Sequence, residues 1–214
     1  MSSARIFLLS PANCGGRRAA LLRSPTGRAP LAERLRGGHE VPLGDLFAFV
    51  SGLYFRGKLA YAARFAHPPH GAAEGGQAPA EGAYVITPNI GLRSPSAPVR
   101  LETLAGFAGV SIAPGNPQYA EPLVRDAQAL ASRVGSCDVV LLGSIASDKY
   151  VDLLLPIFGP RLLFPSAFVG RGDMSRGGLM LRSVAAGAEL DYQPIDGAVR
   201  HGMRPPRLER WPGA

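Results

Sequence analysis

The chain has 214 residues, 46% of them apolar, and a formal net charge of +7. That length suits one sizeable hydrophobic core, and no apolar run approaches the roughly twenty residues that span a bilayer. With an opening segment too short for a signal peptide, these features predict a cytoplasmic protein without a membrane partner.

The first expected strand is Arg5 to Ser10, a short apolar run ended by Pro11. Gly44 to Phe65 then carries Leu46, Phe47, Val50, Leu53, Tyr54, Leu59, Tyr61 and Phe65 at mostly helical spacing, with Gly52 and Gly57 as potential breaks. Residues 67–82 lack periodicity and apolar surface, which predicts a mobile surface loop. Ala83 to Thr87 repeats the strand pattern before Pro88.

Pro117 to Val134 reads as a helix with an apolar face and Gly135 as its stop, followed by a strand over Cys137 to Leu142. Ser147 to Phe158 is a helix opened by a capping serine, Arg161 to Phe164 a fourth strand, and Ser175 to Ala186 a last helix. Strands alternating with helices predict a three-layer, mostly parallel, Rossmann-like doubly wound α/β sheet of about four to five strands, with helices on both faces. Residues 1–199 then form a single domain, and 200–214 a basic tail stiffened by Arg204-Pro-Pro-Arg207.

Parallel strands deliver their exits and the following helix starts to one crevice, where ligands bind in open α/β sheets. The four exits here are polar. Asn13, Cys14, Gly15, Gly16 and Arg17 could form a backbone nest around a phosphate, or a plain turn. Asn89 could read a base edge or close an Asx turn. Ser144 and Lys149 lie beyond the third strand; Lys149 is one of only two lysines, with Lys58, among 23 basic residues. The turn Gly170-Arg-Gly-Asp-Met-Ser-Arg176 gathers Arg171, Asp173, Ser175 and Arg176 on glycine-opened backbone, a composition suited to an anionic ligand. Asp148 and Asp173 are candidate carboxylates for acid–base work, or helix caps.

The charge points to a nucleotide or nucleic-acid partner, although arginine dominance beside abundant Ala, Gly and Pro is equally the mark of a GC-rich genome. Cys14 and Cys137 are expected as free thiols about 20 Å apart. The scattered histidines His39, His67, His70 and His201 predict no metal centre, and no cofactor motif is present.

The order of these pieces resembles uncharacterised bacterial domains of the uracil-DNA-glycosylase-like fold linked to nucleobase-modification enzymes. The counterparts are Phe7 to Arg17, Leu53 to Tyr61, Tyr84 to Leu92 and Val139 to Gly143, alike in layout more than in letters. The His-Pro-Ser type motif of true uracil glycosylases is absent, which argues against uracil excision itself. The resemblance implies cleavage or exchange of an N-glycosidic bond, with Asp173 or Asp148 as the carboxylate, Asn89 on the base, and Arg17, Lys149, Arg171 and Arg176 on phosphate. The alternatives are a binding module without chemistry, using the tail as an electrostatic arm, and a protein-partner recognition subunit.

Overall fold

The computed structural model describes residues 4–69 and 81–208. In chain order the strands are β1 (Arg5–Leu9), β2 (Val41–Pro42), β3 (Ala83–Ile86), β4 (Leu92–Arg93), β5 (Pro98–Val99), β6 (Asp138–Leu142), β7 (Leu162–Pro165) and β8 (Tyr192–Pro194). The helices are α1 (Arg17–Arg23), α2 (Pro30–Arg36), α3 (Leu43–Ser51), α4 (Leu53–Phe65), α5 (Leu101–Ala108), α6 (Pro117–Val134), α7 (Asp148–Phe158) and α8 (Asp173–Ala186).

Six strands make the main sheet, in the order β4-β3-β1-β6-β7-β8. Its centre, β3-β1-β6-β7, is parallel and holds all four expected strands. The antiparallel edge strands β4 and β8 bring the sheet to more than the four to five expected. A separate two-stranded ribbon pairs β2 with β5.

Because successive side chains alternate across a strand, the apolar strands feed two cores. Phe7, Leu9, Val85, Val140 and Leu142 join the core containing α1 to α5 and α8. Ile6, Leu8, Ile86, Val139, Leu141 and Phe164 join the core built with α6 and α7. The result is three layers. The crossover from β3 to β6 passes over β1, so β1 stands where the strand order reverses, the usual place for a ligand crevice in an open sheet.

Gly52 breaks the predicted Gly44 to Phe65 helix into α3 and α4 by taking φ 61°. Gly57 does not break it. Instead a Cβ on Gly57 would lie 2.8 Å from the Gly177 carbonyl oxygen, and one on Gly177 would lie 2.8 Å from the Leu53 oxygen and from the Tyr54 Cα. These two glycines let the backbones of α4 and α8 touch, in the most extensive contact between any two elements.

Several local expectations are corrected. Ser147 occupies the N-cap of α7 but its side chain makes no capping bond. Helix α8 begins two residues earlier than expected, with Gly172 as N-cap and Asp173 as its first residue. Helices α1, α2 and α5 went unpredicted. The expected loop starts late: His67 exchanges backbone hydrogen bonds with Arg5 at 2.6 and 2.9 Å. Residues 70–80 of that loop, and 209–214 of the tail, lie outside the described residues. No helix among the described residues is long and apolar enough to cross a membrane.

Gly177→Ala tests the helix crossing. In an open helix the change would stabilise by up to about 1 kcal/mol; here the added methyl meets backbone, and the expected outcome is a loss of about 1–3 kcal/mol in denaturant unfolding.

Candidate functional site

A crevice of about 500 Å³ opens at the carboxyl ends of β1, β3 and β6. The β1 exit contributes Ser10 to Gly15, the β3 exit Pro88, and the β6 exit Ser144, Ser147, Lys149 and Tyr150. Ser51 and Tyr54 enter from the α3–α4 junction at Gly52, Phe107 to Ile112 from the end of α5, and Asp173 from the start of α8. Three of the four predicted strand exits meet here, and the fourth, after β7, reaches the crevice only through Asp173 of α8. One wall is apolar (Phe107, Val110, Ile112) and the other is polar.

Behind the polar wall lie two buried cations. Lys58 on α4 is 1% exposed, and its Nζ donates to the Ser10 carbonyl at 2.9 Å and to Ser10 Oγ at 2.7 Å. The same ammonium sits 3.8 Å from the centre of the Tyr54 ring, a cation–π contact. Burial lowers the Lys58 pKa from 10.5 to about 7, with the Asp173 carboxylate opposing the shift and the Arg176 guanidinium adding to it. Arg176 on α8 is 7% exposed; its Nε donates to the Phe168 carbonyl at 3.2 Å, and its terminal nitrogens reach Ser144 Oγ at 3.4 Å and the Asp173 carboxylate at 3.5 Å. Tyr54 is 5% exposed, and its buried hydroxyl, close to Ser10 and Arg176, has no well-formed hydrogen bond among the described residues. Desolvation pushes its pKa up to about 12 and raises that of Tyr150 as well, so both phenols stay protonated at neutral pH.

Of the residues singled out in the sequence, Asn13, Cys14, Gly15, Ser144, Lys149 and Asp173 line this crevice. Arg176 lies directly behind it, bonded to Ser144 and Asp173. The others do not line it. The Gly15 and Gly16 amides donate to the side-chain and main-chain oxygens of Asn13, both at 3.2 Å, so the segment closes on itself as a turn. Arg17 is exposed at the start of α1. Asn89 donates to the Gly106 carbonyl at 3.3 Å, a contact with α5. Asp148 is paired with Arg200 of the tail at 2.8 Å. Arg171 and Ser175 bond each other at 3.2 Å and line a second groove of about 900 Å³ between α4, α8 and the returning tail.

Both cysteines are buried free thiols. Cys14 touches the crevice, but desolvation pushes its pKa up to about 12, and a thiol held protonated is a poor nucleophile. Among the described residues, no three His, Cys, Asp or Glu side chains are grouped to hold a metal ion.

Sequence reasoning missed Lys58 and the Tyr54 hydroxyl. A signal was there: Tyr54, Lys58, Tyr61 and Phe65 recur at helical spacing on the buried stripe of α4, and a lysine in an apolar stripe calls for a buried partner.

Since the folded-state pKa of Lys58 lies below the unfolded value, the unfolded chain holds more protons between pH 7 and 10.5. The stability contribution of this group therefore rises with pH across that window, and its penalty is complete below pH 7. Thermal unfolding followed by circular dichroism from pH 6.5 to 10 should show wild type gaining stability relative to Lys58→Met as pH rises; parallel curves would contradict a depressed Lys58.

The chain matches no family model, no curated protein and no solved structure in comparisons with each.

Proposed function

We propose that the crevice binds a nucleotide, free or as a unit of nucleic acid, and that Asp173 assists cleavage or exchange of its N-glycosidic bond. One observation carries the reading: among the residues lining a crevice formed by three strand exits, Asp173 is the sole carboxylate, 67% exposed and held by Arg176. Lengthening of a glycosidic C–N bond builds positive charge on the sugar, and a carboxylate beside it stabilises that charge and orients the attacking water. The attacking water yields a proton to Asp173 and the departing base takes one up from solvent in the crevice; the Tyr150 phenol, whose pKa burial raises, is a poor donor. The apolar surface of Phe107, Val110 and Ile112 suits a base, and Lys149 at the rim suits a phosphate.

A binding module without chemistry is the second reading, and Asp148 favours it. Glycosyl transfer commonly employs two carboxylates, and the second candidate is taken by Arg200. The same contact weakens the picture of the tail as a free electrostatic arm, because Arg171 also donates to the Pro206 carbonyl at 3.5 Å.

The test is release of free base from a panel of nucleosides, nucleotides and oligonucleotides, followed by chromatography. Wild type should release base from one class, and Asp173→Asn should lose about 10²- to 10⁴-fold in rate while still binding the substrate. Equal rates would remove Asp173 from the chemistry; binding without release by wild type would leave the module.

A further inference from the structure

We propose that the floor of the crevice is an oxyanion subsite, in which the Tyr54 hydroxyl and the Arg176 guanidinium contact a phosphate-like group between Ser10 and Ser144, over the buried charge of Lys58. The proposal rests on the nucleotide reading only for what carries the phosphate.

The donors come first. Tyr54 lines the crevice, and its buried hydroxyl lies close to Ser10 and Arg176 without a well-formed hydrogen bond among the described residues; such a polar atom marks a place for a water, an ion or a ligand atom. Arg176 has five N–H donors, and its contacts to Ser144 and Asp173 are long, at 3.4 and 3.5 Å, so its terminal nitrogens are available for shorter bonds. These two side chains arrive from different helices, α4 and α8, whose backbones touch at Gly57 and Gly177.

The charges come second. Lys58 and Arg176 are both buried, while the one carboxylate near them among the described residues, Asp173, is 67% exposed and so largely answered by solvent. Two buried cations against one solvated anion leave the pocket floor electropositive, and buried charge calls for a counter-charge. The groups facing Lys58 are Ser10 at the end of β1, the Tyr54 and Phe55 rings of its own helix, and Asp173 and Arg176 of α8; the Tyr150 phenol of α7 lies beyond Tyr54. None of these adds a second negative charge. A tetrahedral oxyanion supplies it and offers acceptor oxygens to Tyr54 and Arg176 together.

A bound anion favours the protonated lysine, so binding takes up a proton near pH 7, where free Lys58 is half-charged. Sulfate is the probe for calorimetry because its own charge is constant across this range, and two buffers of different ionisation enthalpy reveal the proton uptake. Wild type should bind one sulfate, with proton uptake at pH 7.5 and an affinity about tenfold lower at pH 8.5 than at pH 6.5. Tyr54→Phe removes a hydroxyl that makes no well-formed hydrogen bond and should fold normally, yet bind sulfate about tenfold more weakly with the proton uptake unchanged. Lys58→Met should abolish the pH dependence. Inorganic phosphate and a nucleoside 5′-monophosphate should both compete with sulfate, the nucleotide at lower concentration. Absence of saturable sulfate binding, or equal binding by wild type and Tyr54→Phe, overturns the subsite. The outcome is separate from base release: sulfate binding with these dependences but no glycosidic turnover sinks the enzyme reading and leaves the subsite, and turnover without sulfate binding does the reverse.

Discussion

The molecule turns on a lysine ammonium carried into the interior to meet the end of the central strand. Once β1 stops at Leu9, the carbonyl of Ser10 still needs a donor, and Lys58 provides it while also holding the Ser10 hydroxyl. That bond couples α4 to the strand where the sheet order reverses, and hence fixes the crevice floor. On its other side α4 sits close against α8. The contact between Gly57 and Gly177 removes the side chains that would hold α4 and α8 apart. A lysine reaching β1 and two glycines touching behind it are parts of one arrangement.

Helix α8 completes it. Asp173 and Arg176 stand three residues apart, on one side of its first turns, so that a single helix start presents an exposed acid to the cavity and sets a buried cation behind it. The Nε bond from Arg176 to the Phe168 carbonyl fastens the guanidinium to the turn that follows β7. The fourth strand exit therefore contributes through α8 rather than through the loop itself. The arginine in the loop, Arg171, is spent on the Ala167 carbonyl, Ser175 and the tail.

The four parallel strands were legible because each is a short run, apolar on both faces, stopped by proline or glycine; burial on two sides leaves no other pattern. Helix α6 was legible down to its ends, since Pro117 and Gly135 punctuate a regular apolar stripe. The crevice followed from the polarity of a parallel sheet. What sequence could not separate was which polar residue at a strand exit faces inward. Asn89 and Asp148 have the composition of site residues, but a carbonyl seventeen residues away claims one and an arginine fifty-two residues away claims the other. Such pairings depend on tertiary distances that local spacing does not encode. Lysine scarcity drew attention to Lys149, which is exposed, when the same scarcity applied to Lys58; the helical stripe was the better guide, because it distinguishes a solvated lysine from a buried one.

The choice of cation at each buried position has its own logic. A guanidinium does not shed its proton inside a protein, so Arg176 needs polar neighbours permanently, and the Phe168 carbonyl, Ser144 and Asp173 stand around it. An ammonium can lose its charge, and Lys58, enclosed by aromatic rings and a single serine, is placed where neutralisation is nearly as favourable as ionisation. The two buried positions therefore combine one fixed positive charge with one that the surroundings can remove. Exchanging the two residues would reverse this division, leaving an unanswered guanidinium under β1 and a short, flexible ammonium where a planar donor now spans the gap between Phe168, Ser144 and Asp173.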